Sequence, residues 1–251
     1  MTDVMKRVQK HYDRAVEHYG KEAVLGVFCY GSWNYNTNTL DSDVDTKCIL
    51  IPDIYHLAIK PYEVKHLHIW TDGDKDFEVC ECMTIMHMVN NWKKQNINFV
   101  EIMFTPFHII NPMYIEVWNK LFPMEMRERV ARYDMRQAIH SMTHQAIHTL
   151  KQDPNDNKKY MNGVRIATTL TKLTETQLPY RDCIWMPTEV RKLRFEPHTQ
   201  EQTEELINLF EKYLEHIECY SDMGSFKPAI DRQLEELILN LIEYRTRGLH
   251  F

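Results

Sequence analysis

The chain contains 251 residues, of which 43% are hydrophobic and 26% charged, and its formal net charge is -6. That apolar content is enough for a hydrophobic core and excludes an intrinsically disordered chain. The apolar runs, such as residues 24–30, are too short to span a membrane, and the charged N-terminal segment lacks the apolar stretch of a secretory signal. We therefore expect a cytoplasmic protein without a membrane segment, and the negative net charge argues against a dedicated nucleic-acid-binding protein.

The first part of the chain predicts one helix followed by several strands. Apolar residues recur at helical spacing over residues 1–19, a continuous apolar run at 23–30 predicts a buried strand, and residues 43–51 predict a second strand. Residues 62–70 and 76–82 predict two more strands, and Thr84 is a predicted N-cap of the helix that follows. We interpret residues 1–112 as an α+β domain, a small mixed sheet flanked by helices.

Helical periodicity dominates the rest of the chain. The pattern predicts helices at residues 113–121, 125–151, 158–176, 200–219 and 228–245. Residues 178–198 contain three prolines and predict an irregular connection. We interpret residues 113–251 as an all-helical domain and expect a cleft between it and the first domain.

Two carboxylates at the start of the second predicted strand indicate a cation site. Alternate residues of a strand point to the same face, so Asp43 and Asp45 are expected side by side. Such close negative charges repel unless a cation lies between them, and Mg²⁺ is the cation that prefers oxygen ligands alone. The alternative is that these aspartates form a solvent-exposed turn where the chain enters the strand. Asp41 lies outside the strand and is assigned to this turn.

Gly31 and Ser32 directly follow the first buried strand. A glycine allows the backbone to approach a phosphate closely, and free N–H groups with a serine hydroxyl can bind it. Together with the two carboxylates, this pattern is typical of sites that transfer phosphoryl groups.

Three further features have a functional and a structural interpretation. Glu101 lies in an apolar run and, if buried, needs a partner such as a Lys or Arg of the second half. The basic residues 191, 192 and 194 beside Phe195 predict either a path for a nucleic-acid backbone or ordinary surface charge. Cys80 and Cys82 lack the second ligand pair of a structural zinc site and are interpreted as buried strand residues.

The chain resembles the DNA polymerase beta superfamily of nucleotidyltransferases. The resemblance lies in Gly31-Ser32 followed, after ten residues, by Asp43-Val44-Asp45. The segments 30–35, 42–47, 92–105, 159–167 and 190–197 are similar to stand-alone nucleotidyltransferases of bacteria and phages, so the resemblance covers most of the chain.

The resemblance implies a role for individual residues. Gly31 and Ser32 would hold the nucleotide phosphates, and Asp43 and Asp45 would bind two Mg²⁺ ions, for which Mn²⁺ can substitute. Glu81 would be the third metal ligand, although the family often has Asp at that position. If Glu81 is not this ligand, Glu78 is the next candidate. Asp76 is a further candidate, for which the alternative is a solvent-exposed strand residue without a metal-binding role.

In related enzymes the helical domain supplies cations to the triphosphate. The resemblance assigns this role to Lys159 and Arg165, for which a solvated helix face is the alternative.

The implied activity is metal-dependent transfer of an NMP from an NTP such as ATP to an acceptor hydroxyl, with release of pyrophosphate. The acceptor remains open among an RNA end, tRNA, a protein side chain and a small molecule. The alternatives are an inactive nucleotide-binding or antitoxin-like regulatory protein and a structural partner protein that binds no NTP.

Overall fold

The apolar segments of the first part of the chain form a mixed sheet. The computed structural model describes residues 3–63, 66–70, 77–220 and 227–248. The strands are β1 (Val24–Cys29), β2 (Thr46–Leu50), β3 (His66–Trp70), β4 (Phe77–Thr84) and β5 (His108–Ile110). Their order across the sheet is β3-β4-β2-β1-β5, in which β2 and β4 are parallel and the other neighbours antiparallel. The chain is therefore of the α+β class, as predicted, and the sheet is small and mixed.

Helices make up most of the remaining described chain. They are α1 (Asp3–Tyr19), α2 (Ser32–Tyr35), α3 (Ile54–Ala58), α4 (Ile85–Lys93), α5 (Ile97–Val100), α6 (Ile115–Leu121), α7 (Met124–Ala131), α8 (Met135–Gln152), α9 (Asn157–Glu175), α10 (Tyr180–Ile184), α11 (Thr188–Lys192), α12 (Gln200–Glu215) and α13 (Lys227–Gly248).

Several boundaries differ from those that periodicity predicts. The single helix expected at 125–151 is two helices, because Asp134 caps α8 by accepting a hydrogen bond from the N–H of Gln137. The predicted cap Thr84 is confirmed, since its side chain accepts from the N–H of His87. Residues 178–198 are less irregular than expected and include α10 and α11.

The two faces of the sheet pack against different partners. Helix α1 covers one face, where Val8 and Ala15 lie in a cluster with Cys48 and Leu50 of β2. Ile49, between these two strand residues, belongs to the cluster on the opposite face. Because side chains of a strand alternate between the two faces of the sheet, the odd-numbered side chains of β2 point away from α1. The candidate site lies on this second face.

The hydrophobic core continues across residue 112, where we placed the domain boundary. One cluster of buried residues extends from Leu25 in β1 to Leu241 in α13. Arg245 of α13 also donates to the carbonyl of Ile51 and to Asp53, at 3.1 Å for the latter. The sheet region and the helical region therefore share a core, and the boundary stays a prediction.

Gly26→Ala is expected to lower the free energy of unfolding by about 2 kcal/mol. A Cβ at this position of β1 would lie 2.6 Å from the carbonyl oxygen of Ile109 in the adjacent strand, which cannot move without disturbing the sheet. Urea denaturation measures the change. Gly163→Ala is the control, because its methyl would meet only the flexible ends of Leu150 and Leu206. Equal effects of the two substitutions would contradict the steric argument.

Within the described ranges, no helix combines the length and the apolar character that crossing a membrane requires.

Candidate functional site

Pairing of β1 with β2 brings the Gly31-Ser32 segment beside the two aspartates. Cys29 at the end of β1 lies opposite Thr46 at the start of β2, and the N–H of Tyr30 donates to the carbonyl of Asp45 at 3.0 Å. Because the strands are antiparallel, the residues that follow β1 meet those that precede β2. The strand predicted from residue 43 begins only at Thr46, so Asp43 and Asp45 lie in the segment that enters it.

A cleft of about 300 Å³ opens at this point. One side consists of the segments after β1 and before β2, including Gly31, Ser32, Asp43 and Asp45. Helices α8 and α9 form the other side, with Lys158, Asn162 and Arg165 from α9, and Arg194 also lines the cleft. The cleft therefore has acidic residues on one side and basic residues on the other.

The electrostatics of the two aspartates favour a cation between them. Asp43 is exposed and Asp45 is half-buried. Burial raises the pKa of Asp45, and the negative charge of Asp43 raises it further. A bound cation would relieve this repulsion, and the oxygen donors present are those that Mg²⁺ prefers.

Glu81, the predicted third ligand, is held by other groups. It lies opposite Lys47 in the parallel β2–β4 pair, and its Oε2 accepts a hydrogen bond from the ammonium of Lys47. Its Oε1 accepts from the hydroxyl of Tyr30 at 3.0 Å. Burial acts to raise the pKa of Glu81, but Lys47 and the Tyr30 hydroxyl outweigh it, so this pKa is lowered. Glu81 is therefore an ionised partner of a buried lysine and a poor proton acceptor.

Across the described part of the chain, no group of three or more His, Cys, Asp and Glu side chains is arranged to hold a metal ion. The assignment of Glu81 as a third metal ligand beside Asp43 and Asp45 stays a prediction. Asp43 and Asp45 fit one Mg²⁺ that also takes oxygen ligands from substrate phosphates, which is a common mode for this ion. The two-ion arrangement stays a prediction.

Glu78, the fallback ligand, lies on the other face of the sheet. It is 2% exposed and accepts hydrogen bonds from Arg7 and from the N–H of Val44, the latter at 2.9 Å. Its second oxygen lies 3.0 Å from Nε2 of His11. The geometry therefore favours a structural role, in which Glu78 ties α1 to the segment that carries Asp43 and Asp45.

Replacing Glu78 by Ala is expected to lower the free energy of unfolding by about 3 kcal/mol. The substitution leaves the buried His11 and the N–H of Val44 without their acceptor. Chemical denaturation with far-UV circular dichroism measures the loss. A stable Glu78→Ala protein that fails only in metal binding would instead support the fallback role.

Gly31 adopts a backbone conformation that favours glycine. Its φ is 77°, in a region that side chains rarely occupy, and it directly precedes α2. A Cβ at this position would contact nothing within 4 Å, so only backbone strain opposes a substitution, and Gly31 itself lines the cleft. Ser32 begins α2 and lines the same cleft.

Arg165 is a buried cation on the cleft. The residue is 4% exposed, and its guanidinium lies over the ring of Tyr35 at 3.8 Å from the centroid. Within the described residues its Nε and Nη1 have no hydrogen-bond partner. A desolvated guanidinium with free donors is a strong site for an anion such as phosphate.

The other predicted cation, Lys159, does not line the cleft. Its ammonium lies 3.9 Å from Asp153 in an ion pair. The preceding residue, Lys158, lines the cleft instead, as does Arg194 of the basic run. The sequence could not show which of the two adjacent lysines lines the cleft, because the side of α9 that faces the cleft depends on how the helix packs.

Of the three remaining predictions, the structure bears on two. Cys80 and Cys82 are buried free thiols, as predicted. Asp76 lies outside the described residues. Glu101 is fully buried, and its side chain accepts a hydrogen bond from the hydroxyl of Tyr35. Arg165 supplies a nearby positive charge and is the basic partner expected from the second half of the chain. Tyr35 is a partner that the sequence analysis missed.

No known protein-family model matches the chain, and no curated protein matches it.

Proposed function

We propose that the protein is a nucleotidyltransferase that moves an NMP from an NTP to an acceptor hydroxyl and releases pyrophosphate. The observation that carries the proposal is that the Asp43 and Asp45 carboxylates share one cleft with the buried guanidinium of Arg165, whose Nε and Nη1 have no hydrogen-bond partner among the described residues. A metal-bound triphosphate needs both kinds of group, because carboxylates hold the cation and arginine neutralises phosphate oxygens.

Each cleft residue then has a defined task. Arg165 binds and orients phosphate oxygens, with Lys158 and Arg194 as further cations at the same cleft. The open turn at Gly31 allows the phosphates to approach the backbone, and the Ser32 hydroxyl donates to them. Such positioning and charge neutralisation account for most of the catalysis of phosphoryl transfer.

Asp43 and Asp45 would hold Mg²⁺, and Mn²⁺ can replace it. When bound, the ion supplies Lewis-acid activation of the phosphate and lowers the pKa of the acceptor hydroxyl. The chain's own contribution is the placement of the two carboxylates beside the phosphate-binding turn, through the Tyr30–Asp45 backbone hydrogen bond of 3.0 Å.

A second candidate is a nucleotide-binding regulatory protein that turns over nothing. The observation that favours it is that Glu81 is held by Lys47 and Tyr30. A site in which only Asp43 and Asp45 hold the metal suits binding of a metal–nucleotide complex without the full metal set for transfer.

Binding of a fluorescent ATP analogue with a methylanthraniloyl group, followed by a pyrophosphate-release assay, tests the proposal. We expect Mg²⁺-dependent binding and, with cell extract as the source of acceptors, pyrophosphate release. Binding without release under all acceptor conditions would support the regulatory protein. Absence of binding would contradict both candidates and support a structural partner protein.

A further inference from the structure

The carboxyl group of Glu101 lies behind the cleft and belongs to none of the roles described above. Glu101 begins a 3₁₀ turn, Glu101–Phe104, and is 0% exposed. A fully buried carboxylate is unfavourable unless hydrogen bonds and a positive charge compensate it. Its neighbours are therefore informative about what holds the charge there.

Those neighbours are the residues that shape the phosphate side of the cleft. The hydroxyl of Tyr35 donates to Oε2 of Glu101, and the amide of Asn34 donates to its backbone carbonyl at 3.0 Å. Both residues lie in α2, the short helix that begins at Ser32 directly after Gly31. The ring of Tyr35 in turn carries the guanidinium of Arg165 at 3.8 Å. Glu101 thus connects the Gly31-Ser32 turn with the cation on the opposite side of the cleft.

We propose that Glu101 is a positioning residue of this site: through Tyr35 it holds Arg165 and the Gly31-Ser32 turn in place, and it competes with bound phosphates for the positive charge of Arg165. The proposal rests on the nucleotide binding proposed above. A bound triphosphate would take over the role of counter-ion to Arg165, and the negative charge of Glu101 would then oppose binding.

The charged surroundings of Glu101 agree with this competition. Burial raises the pKa of Glu101 to about 7, against the charge of Arg165, the Tyr35 hydroxyl, the Gly31 backbone amide and Lys47. The other titratable groups that interact with it are Tyr180 of α10 and Cys29 and Tyr30 at the end of β1. At neutral pH both protonation states of Glu101 are therefore populated.

The direction of the pH effect follows from linkage. A bound anion favours the neutral form of Glu101, so binding takes up a proton and becomes weaker as the pH rises through about 7. Glu101→Gln retains the shape of the side chain and removes the titration. We expect the ratio of the wild-type Kd to the Glu101→Gln Kd to rise about fivefold between pH 6 and pH 8.

The experiment measures the Kd of methylanthraniloyl-ATP with Mg²⁺ from pH 6 to pH 8 for the wild type, Glu101→Gln and Tyr35→Phe. Titration of the probe's own phosphates affects all proteins equally and cancels in the ratio. Tyr35→Phe retains the ring below Arg165 but removes a hydrogen bond to the charged carboxylate, so it is expected to move the midpoint to higher pH. This second variant decides the matter if Glu101→Gln does not fold.

A purely structural Glu101 would change the Kd by the same factor at every pH, and a flat ratio with an unmoved Tyr35→Phe midpoint would overturn the proposal while leaving nucleotide binding intact. A wild type that binds no probe at any pH would overturn the proposed function, and this inference with it.

Discussion

Replacing Asp43 and Asp45 together by Asn is expected to lower the rate of NMP transfer by about a thousandfold or more. The substitution retains the size of both side chains and removes the negative charges that would hold Mg²⁺ against the substrate phosphates. The rate is measured as pyrophosphate release or as transfer of label from an α-labelled NTP.

The fold of this double variant should be intact. Asp43 is exposed and raises the pKa of the half-buried Asp45 by repulsion, so removing both charges relieves an unfavourable interaction at neutral pH. We expect a thermal midpoint equal to or above that of the wild type. Asp41→Asn, in the same segment and also exposed, is the matched control and should retain activity. A double variant with wild-type turnover would contradict the role of the carboxylates.

Arg165→Met is expected to weaken nucleotide binding by about a hundredfold. Methionine retains an apolar stem against the ring of Tyr35 but offers no donor to a phosphate oxygen. Because Arg165 is 4% exposed and two of its nitrogens lack a partner in the described chain, its charge is available to an anion in the cleft. Equilibrium binding of methylanthraniloyl-ATP measures the effect.

Two adjacent residues of α9 provide the control for Arg165. Lys158→Ala should weaken binding several-fold, since Lys158 lines the cleft, whereas Lys159→Ala should have little effect, since Lys159 pairs with Asp153. If the larger effect came from Lys159→Ala, the assignment of cleft residues from the geometry would be wrong.

The fold class and most long elements could be predicted from periodicity. Helix α1 and strand β1 are continuous patterns of the expected length and lie where the sequence places them. The apolar run at residues 99–104 has the composition of a strand but forms the end of α5 and a 3₁₀ turn. A short apolar run satisfies either structure, and the buried surroundings decide between them.

The candidate site could be predicted in part. Gly31, Ser32, Asp43, Asp45 and Arg165 line one cleft, because the β1–β2 pairing and the packing of α9 bring them together. The sequence alone could not show that Lys47 would form an ion pair with Glu81, because which residues face each other across two strands depends on the strand register. The contacts of Tyr35 with Glu101 and Arg165 were missed, because nothing in the sequence distinguishes this tyrosine from an ordinary residue of the hydrophobic core.

Transfer of label from each of the four α-labelled NTPs, with Mg²⁺ or Mn²⁺, tests the central claim most directly. Total RNA, total protein and a small-molecule extract serve as separate acceptor mixtures, and the Asp43→Asn/Asp45→Asn variant is assayed in parallel. The account predicts label in one acceptor class with the wild type and none with the variant. Label that persists in the variant, or no label in any mixture from a wild type that also binds no NTP, would contradict it.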